Sequence, residues 1–259
     1  MVSALSPSAR VLSLLSGFGR FGTFCGELGV RAVSRPFYLR EALAYAGVTA
    51  ARCLAPVLAV TLPCGMVIAL QGLQIFDLYG AQRLLSSLVS VAVLRELSPV
   101  MACVLVAAQG GSSCAAELGS MRIKEEIDAT EVMGVDALRF HVLPRLLGLT
   151  LACPILGTFG ALAGLLGGYL TAVVLKGEAS GVYLANLWAL TQPADLWAGI
   201  FKTLVFGFSI GLVATFHGFH ARGGAAGVGR AVNETVVRSV LVFVVVNYLL
   251  TSALFTDAP

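Results

Sequence analysis

Five long stretches of this sequence are almost free of charged side chains, and they decide what the chain can fold into. They are Cys53–Phe76, Leu97–Ala116, Leu146–Leu175, Leu196–Ala221 (interrupted only by Lys202) and Ser239–Thr256. About 20 apolar residues in a helix cross the hydrocarbon of a bilayer. Charged residues make up 12% of the chain, against about 25% in soluble proteins. The sequence therefore predicts an all-α integral membrane protein with five transmembrane helices.

Lysine and arginine are distributed unevenly among the connecting segments. Segments 1–52, 117–145 and 222–238 carry 13 of the 17 basic residues, namely Arg10, Arg20, Arg31, Arg35, Arg40, Arg52, Arg122, Lys124, Arg139, Arg145, Arg222, Arg230 and Arg238. Cytoplasmic segments of membrane proteins are enriched in these residues. We therefore expect these segments and the N-terminus to lie in the cytoplasm, and the C-terminus to lie on the outer side.

Two further segments have the composition of helices that lie at the membrane surface. Segment 1–45 begins with an amphipathic pattern that is typical of an interfacial helix. The apolar side of that helix would be formed by Val11, Leu14, Leu15, Phe18 and Phe21. The polar side would be formed by Ser13, Ser16 and Arg20. The outer connection 176–195 contains 16 uncharged residues, 179–194. That is short for a span, so we expect an external helix there rather than a sixth crossing.

Segment Glu117–Asp136 is unusually polar for a connection between two apolar stretches, with six acidic and two basic residues. On a helix, spacings of three and four would place Ile123, Ile127 and Thr130 on one side. The same spacings would place Lys124, Asp128 and Glu131 on another side. Such a helix, lying along the cytoplasmic membrane surface, is suited to docking on another protein. An ordinary solvated loop helix would have the same composition.

Five short runs in the middle of the chain resemble the MlaE/YrbE family of ABC-transporter permeases: Leu94–Pro99 (LRELSP), Ala116–Arg122 (AELGSMR), Glu125–Ala129 (EEIDA), Val132–Asp136 (VMGVD) and Leu143–Arg145 (LPR). Weaker similarity extends from Leu70 to Thr251. The resemblance implies one permease domain over residues 1–259, with an interfacial N-terminal helix, five spans and a cytoplasmic coupling helix at 117–136 between the second and third spans.

The same resemblance implies the partners. These are two copies of an ABC ATPase, a second permease copy (identical or a paralogue), a periplasmic MCE-domain lipid-binding protein, and phospholipid, all at a bacterial inner membrane. The chain lacks the G-x-x-x-x-G-K-[ST] phosphate loop, so ATP and Mg²⁺ would bind the partner ATPase. We expect this chain to be a non-catalytic subunit without a cofactor or metal. Its net charge of +3 is too small to suggest nucleic acid.

The resemblance also assigns the residues of two sites. The coupling residues would be Glu117, Gly119, Met121, Arg122, Glu125, Glu126, Ile127, Asp128, Met133 and Asp136. The lipid-binding residues would be Leu70, Gln71, Phe76, Tyr79, Arg95, Glu96, Lys202 and Asn247. We expect Arg95 and Lys202 to attract an anionic headgroup, because charges inside a span are costly and usually functional. In the alternative, Arg95 and Glu96 pair with each other or with neighbouring helices, and Lys202 extends to the outer interface.

Three positions depart from the family pattern. Gln109 stands where arginine is usual, Ala137 replaces an expected proline, and Asn247 stands where aspartate is common. The change at Asn247 removes a possible intramembrane charge, which weakens any role of that helix in carrying protons or pairing with Lys202.

Two other functions compete with the permease interpretation. A stand-alone secondary transporter would usually show inverted repeats or broken helices. An intramembrane hydrolase is suggested only by the G-x-S-x-G pattern at Gly207–Gly211, which requires a strand–turn–helix. His217 and His220 could bind a metal, but they lack an evident third ligand. The overlapping G-x-x-x-G steps of Gly160, Gly164 and Gly168 favour close helix packing within one subunit over a dimer contact.

Overall fold

The computed structural model describes residues 7–32, 38–81 and 84–255, and these ranges form helices without any strand. The helices are α1 (Pro7–Ala32), α2 (Leu39–Tyr79), α3 (Leu85–Ile123), α4 (Glu126–Val132), α5 (Leu138–Leu175), α6 (Ser180–Leu190), α7 (Pro193–Phe219) and α8 (Gly224–Phe255). Helices α2, α3, α5, α7 and α8 are long and apolar enough to cross a membrane. The predicted all-α fold with five spans is confirmed.

The first spanning helix begins earlier than its apolar stretch. Helix α2 starts at Leu39 rather than near Cys53 and has 41 residues. At 1.5 Å per residue it is about 60 Å long, twice the thickness of the hydrocarbon. The charged residues before Cys53, namely Arg40, Glu41 and Arg52, do not interrupt the helix because arginine and glutamate have high helix propensity.

Helix α3 contains two wider, π-helical turns, Val93–Leu97 and Val106–Gly111. Pro99 follows the first of them. Since proline has no N–H, the carbonyl of Arg95 cannot receive its usual hydrogen bond from that position. The N–H of Ser98 instead reaches the carbonyl of Val93. The carbonyl of Arg95 is therefore open to a donor from another helix.

Helices α2 and α5 approach so closely that only glycine fits at their contact. A Cβ atom on Gly65 would overlap the carbonyl oxygen of Gly164, and a Cβ on Gly167 would overlap that of Leu62. Gly160 lies against Val57 and Thr61 of α2. The predicted packing of the glycine steps within one subunit is confirmed. Around this contact, buried apolar side chains form two clusters, one containing Leu149, Phe206 and Ile210, the other Leu85, Val89 and Val93.

Helix α1 lies against the end of α7. The ring of Phe24 is 5.5 Å from that of Phe216 and 6.1 Å from that of Phe219, measured between centroids. The predicted amphipathic faces of α1 remain largely untested, because the side chains that carry them are outside the described residues: Val11, Ser13, Leu14, Leu15, Ser16 and Phe18. Of the basic residues used for orientation, Arg10 and Arg35 are also outside them.

Helix α6 lies in the connection 176–195 and has 11 residues. At 1.5 Å per residue it is about 17 Å long, too short to cross a bilayer. The side chain of Tyr183 is buried, whereas Trp188 is 78% exposed. The finding agrees with the prediction of an external helix rather than a sixth crossing.

The predicted coupling helix is not one helix. Helix α3 continues to Ile123, the chain turns at Lys124 and Glu125, and the short α4 follows. Glu125 adopts a left-handed conformation with φ of 59°, which ends a right-handed helix. Ile123 therefore does not share a face with Ile127 and Thr130: the latter two are buried, and Ile123 is exposed.

Candidate functional site

Arg95 and Glu96 lie on the first π-helical turn of α3 and point to different partners. The Nε and Nη2 atoms of Arg95 are each 2.7 Å from Oδ1 of Asp195. Asp195 is in the first turn of α7, where the helix dipole favours a negative charge. Its side chain is only 3% exposed. For Arg95, the structure shows the alternative considered above, in which the charge pairs with a residue of a neighbouring helix.

Lys202 is the largest fully buried side chain among the described residues. Its Nζ atom donates to Oε1 of Glu96 at 2.8 Å, to the carbonyl of Arg95 at 2.8 Å and to Oγ1 of Thr251 at 2.9 Å. An ammonium group has three donors, so all are used. The carbonyl is the one that Pro99 leaves open. Lys202 therefore points into the bundle and does not extend to the outer interface.

Glu96 joins three spanning helices. Besides Lys202 of α7, its Oε1 accepts a hydrogen bond from Thr251 at 2.9 Å, and its Oε2 accepts one from the amide of Asn247 at 3.1 Å, both on α8. The amide of Asn247 donates where a second carboxylate would repel Glu96. Within the described part of the chain, Oδ1 of Asn247 is buried without a hydrogen-bond partner.

We name the set Arg95, Glu96, Asp195, Lys202, Asn247 and Thr251 the outer polar cluster. Its two cations and two carboxylates form two pairs, so no free positive charge of the kind expected for headgroup attraction is present in it. Arg95 is 29% exposed and Glu96 42%, whereas Lys202 and Asp195 are buried. Sequence reasoning missed Asp195 and Thr251, although the first precedes Lys202 by two helical turns and the second follows Asn247 by one.

Four of the predicted lipid-binding residues, Leu70, Gln71, Phe76 and Tyr79, lie in the C-terminal part of α2. Leu70 and Tyr79 are 36% and 80% exposed, Gln71 is exposed, and Phe76 is half-buried against the outer apolar cluster. The nine residues from Leu70 to Tyr79 correspond to about two and a half helical turns, which places these two side chains on opposite sides of the helix. The structure does not gather the four residues into a single stripe.

The predicted coupling residues divide into two groups. Glu117, Gly119, Met121 and Ile127 belong to the bundle. Nε of Arg145 is 3.3 Å from Oε2 of Glu117, and its Nη2 contacts Sδ of Met121. Gly119 lies against α8 and the turn that precedes it, and Ile127 is fully buried.

The second group lies at the surface of the molecule, on and around α4. Glu125, Glu126 and Met133 are exposed, as are Glu131 and Val132, which sequence analysis did not assign to the site. Arg122 forms an ion pair with Asp128 that closes the turn between α3 and α4. Val132 and Met133 are 89% and 73% exposed, so α4 ends in an exposed apolar tip.

Asp136 connects this segment to α1 and α5. Its Oδ1 accepts the N–H of Leu138 at 3.1 Å, which caps the start of α5. Its Oδ2 lies 3.1 Å from Nε of Arg31 on α1 and 3.7 Å from Nε of Arg139. Thr130 and His141 form a second link, with 3.1 Å between Oγ1 and Nε2. The role of Arg31 was missed because it depends on where α1 docks.

The competing motifs have structural positions of their own. The G-x-S-x-G pattern lies inside α7, where Oγ of Ser209 donates to the carbonyl of Val205 at 2.9 Å, so no strand–turn–helix is present there. Nδ1 of His217 and of His220 lie 2.8 and 2.9 Å from carbonyls one turn earlier. Among the described residues, no three His, Cys, Asp or Glu side chains are grouped as metal ligands.

Comparison with known proteins gives a consistent result over most of the chain. The family model described as Permease MlaE matches residues 43–253. A probable ABC transporter permease protein of Rickettsia bellii is 31% identical over 252 residues, 97% of each chain. The intermembrane phospholipid transport system permease protein MlaE of Haemophilus influenzae is 32% identical over 196 residues, 74% of each chain. The chloroplastic protein TRIGALACTOSYLDIACYLGLYCEROL 1 of Arabidopsis thaliana is 28% identical over 233 residues, 90% of this chain.

Proposed function

This chain belongs to the MlaE family of ABC-transporter permeases, and we propose that it is the membrane subunit through which a separate ATPase drives phospholipid movement. The substrate class is suggested by the Haemophilus influenzae relative, which is named for phospholipid transport. We infer that two permease copies and two ATPase subunits assemble. ATP and Mg²⁺ bind the ATPase, and this chain supplies the lipid path and the coupling contacts.

The observation that carries the proposal is the continuity of α3. This one helix bears Glu96 of the outer polar cluster and reaches Ile123 at the coupling segment. The 27 residues between them correspond to about 40 Å at 1.5 Å per residue. A displacement at the cytoplasmic end is therefore transmitted along one continuous helix to the cluster that joins α3, α7 and α8.

The tip of α4 is the proposed contact with the ATPase. Val132 and Met133 supply exposed apolar area next to the exposed Glu131, and Glu125 and Glu126 add negative charge at the start of the same short helix. Large exposed apolar side chains rimmed by polar residues are typical of protein interaction sites. The complementary surface on the ATPase would be an apolar groove with basic residues at its edge.

The outer polar cluster is the proposed headgroup contact. Arg95 and Glu96 are its partly exposed charges, and they are the groups that a lipid headgroup can reach. Lys202 holds Glu96 and the open carbonyl in place and does not itself meet the lipid. This assignment narrows the original expectation, in which Arg95 and Lys202 together attracted the headgroup.

The orientation is supported by which segments meet at one end of the bundle. Helix α1 contacts the end of α7 through Phe24, and Arg31 contacts Asp136. The three segments rich in basic residues thus lie at the same end of the bundle. This is expected if all three are cytoplasmic, because basic residues are enriched in cytoplasmic segments. We infer that this end is cytoplasmic in a bacterial inner membrane, and that the opposite end faces the periplasm and an MCE-domain partner.

The proposal is tested by co-expressing this chain with its ATPase and reconstituting the purified complex in vesicles with fluorescent phospholipid. ATP hydrolysis should depend on the permease, and lipid transfer to the partner should depend on ATP. The variant Glu125→Lys should keep hydrolysis but lose most of the transfer, because it reverses a charge at the docking tip. Glu178→Lys, the same reversal at the outer end, is the matched control and should transfer normally.

Two outcomes would contradict the proposal. One is lipid transfer by the permease alone under an ion gradient, which would identify a secondary transporter. The other is full coupling of hydrolysis to transfer in Glu125→Lys, which would remove the docking role from the tip of α4.

A further inference from the structure

A cavity lies between α2 and α3, well away from the outer polar cluster. It encloses about 460 Å³, a volume typical of small-molecule sites. Thirteen residues of α3 separate Glu96 from Gln109 on its wall, about 20 Å along the helix. The lining residues are Glu41, Ala44, Tyr45, Val48, Thr49, Arg52, Cys53, Gln109, Gly110, Ser113 and Glu117.

Charged residues on both walls indicate the depth of this groove in the membrane. Arg52 immediately precedes the charge-free stretch that begins at Cys53, and Glu117 immediately follows the stretch that ends at Ala116. Charged residues at the ends of apolar spans mark the boundary between hydrocarbon and headgroups. With the cytoplasmic end assigned as above, the groove lies in the headgroup layer of the inner leaflet.

Arg52 gives the groove an uncompensated positive charge. Its side chain is exposed in the groove, and the described residues offer it neither an ion pair nor a hydrogen bond. The guanidinium has five donors in a fork that matches phosphate oxygens. A charge at the edge of the hydrocarbon is costly without a partner, so an anionic group is expected beside Arg52.

The floor of the groove is shaped by the second π-helical turn of α3. A Cβ atom on Gly110 would lie 2.9 Å from Cγ2 of Thr49 and 3.0 Å from Cδ2 of Leu149, so glycine lets the backbone of α3 lie against α2. The turn leaves Gln109 exposed on the wall, where its amide can donate a further hydrogen bond. π-helical turns often occur at functional sites.

The charges are ordered along the groove. Arg52 lies nearest the hydrocarbon, and Glu41 lies 11 residues earlier on α2, about 16 Å toward the cytoplasm along the helix axis. Glu117 is already paired with Arg145 at 3.3 Å, whereas Glu41 has no ion pair among the described residues. The separation of Glu41 from Arg52 is longer than the link between phosphate and amine in one headgroup, so Glu41 would orient the amine of a headgroup whose phosphate lies on Arg52 and would not pair with it directly.

We propose that this groove binds the headgroup of a zwitterionic amine-bearing phospholipid of the cytoplasmic leaflet, with its phosphate on Arg52 and its amine toward Glu41. The site is separate from the outer polar cluster. It rests on the proposed orientation, and it does not require that the bound lipid be the one transported. A second copy of the chain is a poorer occupant, because a two-fold contact here would bring two Arg52 side chains together.

The test uses the reconstituted complex in nanodiscs of equal parts phosphatidylethanolamine and phosphatidylglycerol, each doped in turn with a photoreactive analogue. We expect the phosphatidylethanolamine probe to label peptides that contain Tyr45–Cys53 and Gln109–Ser113. Arg52→Gln should reduce this labelling about tenfold, as the loss of a charged hydrogen bond predicts. Arg40→Gln removes another exposed arginine of α2 outside the groove, and it should leave the labelling unchanged.

A relocated charge separates a binding effect from a folding effect. In the double variant Arg52→Gln with Gln109→Arg the guanidinium stands on the opposite wall, and we expect labelling to recover at least partly. Equal labelling in wild type and Arg52→Gln would overturn the proposal. So would a cross-link between two copies through Val48→Cys, because the groove would then be covered by protein. Lipid transfer is measured in parallel: transfer without groove labelling rejects only this site, and labelling without transfer rejects only the proposed function.

Discussion

The outer polar cluster and the proposed coupling segment are built from the same kinds of ion pair in different surroundings. In the cluster, each pair has one buried and one partly exposed member: Lys202 is 0% and Glu96 42% exposed, and Asp195 is 3% and Arg95 29% exposed. In the coupling segment, both members are partly exposed, Arg31 at 34% and Asp136 at 33%. Removing the partner of a buried charge leaves that charge uncompensated, which costs about 3–5 kcal/mol. Exposed pairs contribute about 0–1 kcal/mol each.

This difference indicates different roles for the two regions. The cluster fixes α3, α7 and α8 relative to one another, and it is difficult to break at any single position. The coupling segment is held by several weak contacts that can be exchanged one at a time. A segment that must respond to a moving partner requires contacts of the second kind, and the helices that receive the movement require contacts of the first kind.

The largest effect is expected for Lys202→Met. It removes the cation that pairs with Glu96 and leaves the open carbonyl of Arg95 without its donor, and we expect a loss of about 1–3 kcal/mol of stability. Thermal unfolding of the purified protein in detergent measures it. Lys124→Met removes an exposed lysine and is the control. Equal melting temperatures for the two variants would show that the cluster is no more firmly held than the coupling segment.

A smaller effect of the opposite sign is expected for Glu125→Gly. A non-glycine residue in the left-handed region costs about 1–2 kcal/mol, and the greater freedom of glycine in the unfolded chain offsets about half of that. We expect the variant to gain up to about 1 kcal/mol in chemical denaturation while lipid transfer falls, because the docking carboxylate is lost. Unchanged lipid transfer in this variant would show that Glu125 shapes the turn and has no docking role.

Arg31→Gln should change stability by less than about 1 kcal/mol, because its pair with Asp136 is exposed. We expect lipid transfer per ATP hydrolysed to fall, since α1 is no longer tied to the start of α5. Glu27→Gln removes only the neighbouring contact of Arg31 on α1, 3.5 Å from Nη1, and serves as the control. The same ratio of lipid transferred to ATP hydrolysed in both variants would show that the contact between Arg31 and Asp136 does not contribute to coupling.

The smallest effect is expected at the outer end. Burial raises the pKa of the Glu178 carboxyl above its ordinary value of 4.5, and the neighbouring Asp77 raises it further. The folded protein therefore favours protonated Glu178, and this stabilisation is lost as the pH rises through the raised pKa. Glu178→Gln should flatten that dependence, with less than about 0.5 kcal/mol of change at neutral pH. Melting temperatures between pH 4 and 7 check this; parallel curves for both proteins would contradict it.

The sequence predicted the spans because a charge-free stretch has few alternatives to a membrane helix. It misplaced the start of α2, because Arg40, Glu41 and Arg52 are compatible with a helix beyond the hydrocarbon. The break at Glu125 could not be predicted, since nothing in its side chain favours the left-handed conformation. That conformation is set by the contacts around it, including the pair between Arg122 and Asp128.

In the outer polar cluster, the residue types were predictable and the pairings were not. Arg95, Glu96, Lys202 and Asn247 are conspicuous because polar residues inside spans are rare. Which of them pair depends on how α3, α7 and α8 pack, over separations of 100 residues and more. The nearest local signal was Asp195, two turns before Lys202 on the same helix.

The hydrogen bond from Lys202 to the carbonyl of Arg95 bears on how the chain is made. Helix α3 leaves the ribosome about one hundred residues before Lys202 does, and Pro99 ensures that it cannot satisfy its own backbone. In hydrocarbon, an unbonded carbonyl costs several kcal/mol. During biosynthesis α3 must therefore stay near water, or in the shelter of the insertion machinery, until α7 arrives. The proline thus delays the release of α3 into lipid and makes the arrival of α7 the step that completes assembly.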